Sequence, residues 1–394
     1  MKRFLFLQGP QGPFFHELGD ALQRAGHVVH RVNFHGGDVH DWPRGTAYRG
    51  RMTDWPAAVQ SMMGRHRIDS LVLYGDCRPI HRAAIDTARI FGAAVHVFEE
   101  AYFRPGYMTL ERGGVNGHSA LPRDPGTIRR AAARIETVPP PVTGTQPRAG
   151  EAVRYYTRAH VSKVALQFPH VRWHRGAAPL TEGLGYVKRH LLRSREEQQT
   201  AKAQAGVAGR RHFLLPLQLD CDFQLRSHSE EGSMQAALRA ILTSFAASAP
   251  ADTHLLVKRH PLDNGLVNWR ALCAAPRVHF SPGGDLHQML GHTVGMVTVN
   301  STAALPALER GIPVKALGRA IYNVPGLTDG KPLADFWHRP SAPDSALFDD
   351  FRALVVAKAQ IPGDPGCAKG RAALIAAAMP QLTGGYADPL ARAA

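Results

Sequence analysis

The chain has 394 residues, 44% of them hydrophobic and 20% charged, with a formal net charge of +15. That length exceeds what one hydrophobic core usually supports, so two domains are expected. No apolar run reaches the ~18 residues of a membrane-spanning helix, and the basic start Met1-Lys2-Arg3 leads only into Phe4 to Leu7 before Gly9 and Pro10, too short for a signal-peptide core; a cytoplasmic location is expected.

The first hundred residues alternate strand and helix patterns. Phe4 to Leu7 reads as a strand, Gln8 to Pro13 as a loop, and Phe14 to Ala25 as a helix stopped by Gly26. His27 to Val32, Ile68 to Tyr74 and Ala94 to Phe98 are further strands, with a helix over Pro79 to Phe91. Such a rhythm implies a parallel sheet. From Pro122 to Arg211 the pattern turns helical and basic, interrupted by the stiff Thr137 to Val142 connector. Between Arg123 and Arg211, 17 Lys/Arg face 6 Asp/Glu, a balance suited to a phosphate-bearing partner or to an ordinary solvated surface.

The alternation then resumes. Strands are expected over Phe213 to Leu217, His254 to Lys258, Val294 to Val299 and Ile312 to Leu317, and helices over Glu231 to Ala247 and Thr302 to Arg310. Two C-terminal helices follow, Ser345 to Ala359 and Ala368 to Met379. The expected class is α/β and GT-B-like: two Rossmann-like domains facing across a cleft, with a basic helical middle segment. The expected division is an acceptor-side domain over 1–205, a donor domain over 206–340, and helices over 341–394 that pack back on the first domain.

Three segments of the second half carry chemistry. Asn300, Ser301 and Thr302 open a helix, where unpaired N–H groups and hydroxyls suit an anion; an ordinary N-cap would use one such residue. Lys258, His260 and Pro261 leave a strand at its carboxyl end, where ligands of open α/β sheets gather. Gln218, Asp220, Asp222, Gln224, His228 and Ser229 crowd another strand exit, where a carboxylate serves as nucleophile or base, or where acids and Ser229 cap the next helix.

In the first half, Glu99, Glu100, Arg104, Glu111 and Asn116 follow a strand and could hold a polar acceptor or balance one another. Gln8, Asn33 and Asp38 lie on glycine-rich loops, and Gly36-Gly37 would let a ligand approach. Gly9-Pro-Gln-Gly12 is not a dinucleotide fingerprint, since Pro10 lacks the N–H that a phosphate needs. The four cysteines, Cys77, Cys221, Cys273 and Cys367, stand too far apart for zinc spacing or a disulfide framework and read as free thiols.

These blocks together resemble the capsule polysaccharide biosynthesis family of KpsS type. The resemblance is carried by Phe6 to Phe15, Arg31 to Asp38, Phe98 to Pro105 with Gly114-Val-Asn116, Gln218-x-x-x-Asp222, Lys258-x-His-Pro261, Val299-Asn-Ser-Thr-Ala303 and Pro325-Gly-Leu327. It implies a retaining β-Kdo transferase that moves 3-deoxy-D-manno-octulosonic acid (Kdo) from CMP-β-Kdo to lysophosphatidylglycerol, starting a capsule linker. His260 and Pro261 then match the motif on the CMP phosphate, Ser301 and Thr302 its Ser/Thr partner, Asp222 the nucleophile and Gln218 its companion, with Glu100 joining the catalytic set. One departure is Ala101, where the family carries glycine; a positive φ there would be strained.

No metal or other cofactor is expected, because Lys258, His260 and the helix start can neutralise a departing phosphate; Asp220-Cys-Asp222 is read as a by-product of the Gln-x-x-x-Asp pattern. Expected partners are the CMP-sugar, a lysophosphatidylglycerol-type lipid, the inner membrane surface and capsule export proteins. The lipid would meet a helix carrying Lys188, Arg189, Arg193 and Arg195 beside Leu184, Leu191 and Leu192. Nucleic acid is not expected, as aromatics are sparse in the basic stretch, with Tyr155, Tyr156 and Trp173 the main instances. The rival readings are a transferase of the same fold with another donor, such as a sialyltransferase, and a non-catalytic capsule assembly protein.

Overall fold

The structure is a computed structural model and describes residues 1–144, 149–171, 179–220 and 222–384. Among them the strands run β1 (Arg3–Phe6), β2 (Val28–Asn33), β3 (Thr46–Ala47), β4 (Ser70–Tyr74), β5 (Ala94–Glu100), β6 (Tyr107–Arg112), β7 (His212–Pro216), β8 (His254–Lys258), β9 (Val278–Ser281), β10 (Gly295–Thr298), β11 (Val314–Ala316) and β12 (Gln360–Pro362). They form two sheets, β12-β6-β5-β4-β1-β2-β3 and β11-β10-β7-β8-β9. The second is parallel throughout; in the first, β6 runs antiparallel to β5 and β12 antiparallel to β6. Both are Rossmann-like α/β units.

Burial on both faces explains the unbroken apolar runs of the central strands, since parallel sheets are covered by helices on either side. Leu71, Val72 and Leu73 of β4, and Phe213, Leu214 and Leu215 of β7, are all completely buried. In the second unit Phe213, Phe245 and Trp337 pack edge to face, with the Phe213 and Trp337 rings 5.0 Å apart.

The chain divides into one unit of Met1–Leu121, Ala133–Trp173 and Ala353–Ala394 and another of Pro122–Ala132 and His174–Arg352. This differs from the division drawn from sequence, because the basic middle is shared between the two. The helix Ala149–Val164 joins the first unit: Ser162 Oγ accepts from Gly36 N at 2.9 Å, and Tyr155 donates to Asp38 at 2.7 Å. The helix Arg193–Val207 joins the second, where Glu196 holds Arg259. The stiff connector is tied to the edge of the first sheet, with Val142 N donating to Gly106 O at 3.0 Å and Tyr107 donating to Pro139 O at 2.6 Å.

The last helix, Ala368–Thr383, returns to the first unit. Its Leu374, Ala378 and Leu382 join Phe14, Leu18 and Leu22 in one core, and Arg371 Nε donates to Glu17 at 2.9 Å. Strand β12 pairs with β6 alongside.

Several elements differ from the sequence reading. Strands β6 and β9 and the helices Gly36–Asp41 and Trp55–His66 lie in segments without clear periodicity. The expected helix from Thr302 is a 3₁₀ turn, Thr302–Ala304, followed by a short helix Leu305–Glu309 with Pro306 in its first turn. Cys77, Cys273 and Cys367 are free thiols, and Cys221 lies outside the described residues. Among the described residues no helix is long and apolar enough to cross a membrane.

Leu374 is fully buried in the first unit's core, so Leu374→Ala should lower stability by about 3 kcal/mol in chemical denaturation. By contrast Leu184, 63% exposed, should change it by less than about 0.5 kcal/mol on the same substitution.

Candidate active site

In the second unit β10, β7 and β8 are neighbours, so the residues leaving their carboxyl ends lie within roughly 10 Å of one another. There the chain must satisfy backbone groups that the ladder no longer pairs. Gln218 and Asn300 do this for each other: Gln218 Nε2 donates to Asn300 Oδ1 at 2.7 Å, and Asn300 N donates to Gln218 Oε1 at 3.1 Å. The Asn300 amide also donates to Gln224 O at 3.1 Å, which pins the start of the helix Phe223–His228.

Asp222 is the N-cap of that helix and accepts from Gln224 N at 2.9 Å. Burial pushes its carboxyl above the ordinary aspartate value, partly offset by the Gln224 and Leu225 N–H groups and by Arg226. Asp220 takes a different task, accepting from Met234 N at 2.9 Å and Gln235 N at 3.2 Å at the start of the helix Met234–Ser248. The two acids of Asp220-Cys-Asp222 therefore satisfy first-turn N–H groups of two separate helices, Asp222 as N-cap and Asp220 beside one. Ser229 does not cap the second of them: its Oγ accepts from Gly232 N at 3.3 Å in the preceding turn, and Ser233 is the N-cap. His228 is buried, and its carbonyl accepts from Arg319 N at 2.8 Å.

Lys258, Arg259 and His260 are three basic residues in succession, and the structure separates them. Arg259 is buried and bidentate to Glu196, at 2.9 and 2.5 Å. Lys258 is buried as well, and among the described residues its ammonium makes no hydrogen bond or ion pair. Burial lowers its pKa, with Asp285 opposing and Arg259 adding to the effect. A cation so placed gains from an anionic ligand what water no longer supplies.

The His260-Pro261 turn is built from both sides. His260 Nδ1 accepts from Leu262 N at 3.0 Å, and Arg189 donates to Pro261 O at 3.0 Å and to Asp263 O. Below it Asp263, also buried, accepts from Trp269 Nε1 and Gly265 N, both at 2.9 Å. Arg189 is thus committed to the turn, whereas Lys188, Arg193 and Arg195 point to solvent and Arg193 pairs with Glu197 at 2.8 Å. Leu184, Val187 and Leu191 are exposed on the helix Pro179–Leu191 with Lys188, whereas Arg193 and Arg195 lie on the next helix, Arg193–Val207, past the half-buried Leu192, so the single helix expected from sequence is two.

Ser301 accepts from Ala303 N at 3.2 Å, the part of an ordinary cap, and its carbonyl accepts from the buried Tyr322 hydroxyl at 2.7 Å. The Thr302 hydroxyl has no hydrogen-bond partner among the described residues and is half-buried, as is Ser301, whose hydroxyl hydrogen is still free to donate. Lys258, Ser301 and Thr302 are the groups with donor capacity in hand. A separate cavity of about 570 Å³ in this unit is lined by Gln204, Val207, His212, Leu256, Met289 and His292, none of them a predicted donor residue.

In the first unit the loop residues turn inward. Asp38 is buried and accepts from Gln8 Nε2 at 3.1 Å, Phe34 N at 2.8 Å and Tyr155 at 2.7 Å, with Arg31 at 3.7 Å. Burial works against its charge, but His35, Arg31 and these hydrogen bonds together hold its carboxyl below the ordinary value. Asn33, also buried, accepts from Arg31 Nε at 3.0 Å and donates to Trp42 O at 2.9 Å. Gln8, Asn33 and Asp38 thereby fix loops from within. Gly36 and Gly37 serve packing and not ligand approach: a Cβ would come within 2.5 Å of Arg158 O at the first and 2.7 Å of Tyr155 O at the second.

Glu99, Glu100, Arg104, Glu111 and Asn116 stand around the β5–β6 hairpin. Tyr74 donates to Glu100 at 3.0 Å, and Arg104 lies 3.9 Å from the same carboxylate. Glu111 accepts from Tyr102 at 2.7 Å and from Ser119, and the Tyr102 hydroxyl accepts from Asn116 N at 2.7 Å, holding Asn116 at φ +52°. Glu99 Oε2 lies 3.0 Å from where a Cβ on Gly75 would be. Ala101 is not among the residues of positive φ, so the missing glycine costs no backbone strain.

Two residues that sequence reasoning passed over, Glu196 and Asp76, matter here, as does Arg189 in a task other than the expected lipid contact. Glu196 and Arg189 steady the His260 turn from helices that looked like a solvated basic face. Asp76, just past β4, accepts from His118 Nδ1 at 2.9 Å and Val115 N at 3.1 Å, which against its burial hold its carboxyl down to about 2. The only sequence hint is Gly75-Asp-Cys at a strand exit.

Two such units define a protein of the doubly wound α/β class, in which ligands gather at strand carboxyl ends such as those that carry the polar cluster of the second unit. More particularly, the chain belongs to the capsule polysaccharide biosynthesis protein family, whose model matches residues 69–365. It is 36% identical over 385 residues to the capsule polysaccharide modification protein LipB of Neisseria meningitidis serogroup A, covering 92% of this chain and 91% of that one. It is 31% identical over 377 residues to the capsule polysaccharide export protein KpsS of Escherichia coli, covering 91% and 96%. Among solved structures it is similar to the beta Kdo 2,4 transferase KpsC of Thermosulfurimonas dismutans, at 13% identity and a TM-score of 0.45 over 93% of each chain.

Two predictions follow from the charges. Glu196→Ala leaves Arg259 buried and unpaired and should cost about 3 kcal/mol in urea unfolding, while Glu196→Leu with Arg259→Met should recover most of it. Asp41, half-buried and accepting from Gly12 N at 3.0 Å, is pushed up by burial to about 7, with Asp38 and Glu151 adding. A carboxyl raised in the folded state favours folding less and less as pH rises from its ordinary value to about 7. Asp41→Asn should therefore raise the melting temperature at pH 8 and change it little below pH about 4.

Proposed function

We propose that this protein is a glycosyltransferase that moves Kdo from CMP-β-Kdo, with retention, onto a lysophosphatidylglycerol acceptor to start a capsule linker. The observation that carries this reading is the gathering of Gln218, Asp222, Lys258, His260, Ser301 and Thr302 at the carboxyl ends of β7, β8 and β10. Family membership and the names of the LipB and KpsS relatives support a role in capsule polysaccharide synthesis.

In the proposed reaction the CMP phosphate lies against Lys258, His260 and the Ser301 and Thr302 hydroxyls, and these donors stabilise the charge that develops as the bond to the sugar breaks. No metal is assigned to that task. The Asp222 carboxylate attacks the anomeric carbon as CMP leaves with the bonding electron pair; the acceptor hydroxyl then displaces the Asp222 carboxylate, its proton passing to solvent water, and two inversions give retention. One Asp222 oxygen stays fixed by the helix N–H, which aims the other. Burial keeps the carboxylate poorly solvated and so more nucleophilic. The exposed Leu184, Val187 and Leu191 beside Lys188 support a lipid-bearing acceptor and peripheral attachment to an anionic membrane surface.

Calorimetry with CMP, and product mass with CMP-Kdo generated in situ and a fluorescent lysophosphatidylglycerol, test the reading. Wild type should bind CMP in the micromolar range and transfer one or more Kdo residues. His260→Ala should lose CMP binding about tenfold or more. Asp222→Ala should bind CMP but not turn over, and the acid limb of wild-type turnover should lie above the ordinary aspartate range. Turnover in Asp222→Ala removes that residue as nucleophile; no CMP binding at millimolar concentration favours a non-catalytic assembly role, and CMP binding without Kdo transfer favours another CMP-sugar.

A further inference from the structure

The first unit holds a second cavity, of about 350 Å³, lined among others by Lys2, His96, Leu110, Glu111, Arg112 and Lys358. His96 and Arg112 face each other directly across the antiparallel β5–β6 pair, so their side chains share one face of the sheet with Leu110. Lys358 comes from the end of the helix Ser345–Ala359, and Lys2 Nζ donates to Leu382 O at 3.2 Å on the last helix. Arg112 and Lys358 have no hydrogen-bond or ion-pair partner among the described residues. The lining acid, Glu111, is occupied by Tyr102 and Ser119.

His96 is the informative member. It is 6% exposed, and its buried Nε2 has no hydrogen-bond partner. Most buried polar atoms are satisfied, and one that is not, in the wall of a cavity with three cations, is what a site awaiting an anion should contain. Burial, Arg112 and Lys2 lower the His96 pKa to about 4, so the ring is neutral near pH 7.

The geometry points to a binding site for a small phosphomonoester, of sugar-phosphate size, in this cavity. Its dianionic head would lie among Arg112, Lys358 and Lys2 with His96 Nε2 as a further partner, and its organic body against Leu110. The volume falls at the small end of the about 300–1,000 Å³ typical of ligand pockets. The cavity opens at the amino end of β5, at the other end of the first sheet from its strand carboxyl ends, so it is distinct from any site that the parallel-sheet rule places there. A ligand in it would join the β5–β6 hairpin to the two C-terminal helices and should raise the melting temperature.

Calorimetry and thermal melting of the full chain with ribose 5-phosphate, against ribose as control, decide this. Wild type should bind the phosphate ester at sub-millimolar concentration and melt higher, and ribose should do neither. Arg112→Gln with Lys358→Gln should weaken binding by about tenfold or more, while Lys358→Arg and His260→Ala should leave it intact. If the double variant is unstable, the half-exposed Lys358→Gln alone serves. No binding at about 10 mM, equal binding of ribose, or binding that survives the cavity variants but is lost in His260→Ala would overturn the assignment. These outcomes do not depend on whether CMP-Kdo is the donor.

Discussion

The second unit depends on a buried arginine finding its carboxylate. Lys258, Arg259 and His260 leave β8 together, and alternate side chains of an extended chain point to opposite sides, so the three cannot share one face. Glu196 takes Arg259 to one side through two hydrogen bonds, which leaves Lys258 and the His260 turn apart from it. The same pair ties the helix Arg193–Val207 to the carboxyl end of β8. An ion pair of this kind is not chiefly a source of stability, since its desolvation offsets much of its attraction, but it excludes other arrangements because an unpaired Arg259 would be far worse.

The first unit uses a related device around Asp38. Arg31, His35, Gln8 and Tyr155 converge on one carboxylate from the strand β2, two loops and the helix Ala149–Val164. The network replaces hydration with fixed partners and ties a helix from the basic middle to the N-terminal loops. Its members therefore look functional in sequence, being polar residues at strand exits, while their work is to hold the loops in place. Gly36 and Gly37 belong to the same construction, as their missing side chains are what lets that helix approach.

Much of the candidate site was legible because strand ends announce themselves. Apolar runs that stop at Gln218, Lys258 and Asn300 mark carboxyl ends, and polar residues there have few other reasons to cluster. What was not legible is which polar residue is spoken for. Asp220 and Asp222 differ by two positions, yet one serves the first turn of Met234–Ser248 and the other caps Phe223–His228, a distinction set by where those helices begin in space. Asn300 belongs to Gln218, 82 residues away, and no local pattern encodes that partner. Strands β6, β9 and β12 were missed for the same reason: β9 and β12 are short, and all three are held by neighbours more than by their own periodicity.

By itself the sequence determined the two α/β halves, the order of their main elements and the family blocks, because periodicity and strand-end chemistry are local. Only the tertiary structure decided how the basic middle is shared, which of its arginines support a turn and which meet solvent, and that Lys2, His96, Arg112 and Lys358 line one cavity. Those outcomes depend on burial, and burial is a property of what packs against a residue from elsewhere in the chain.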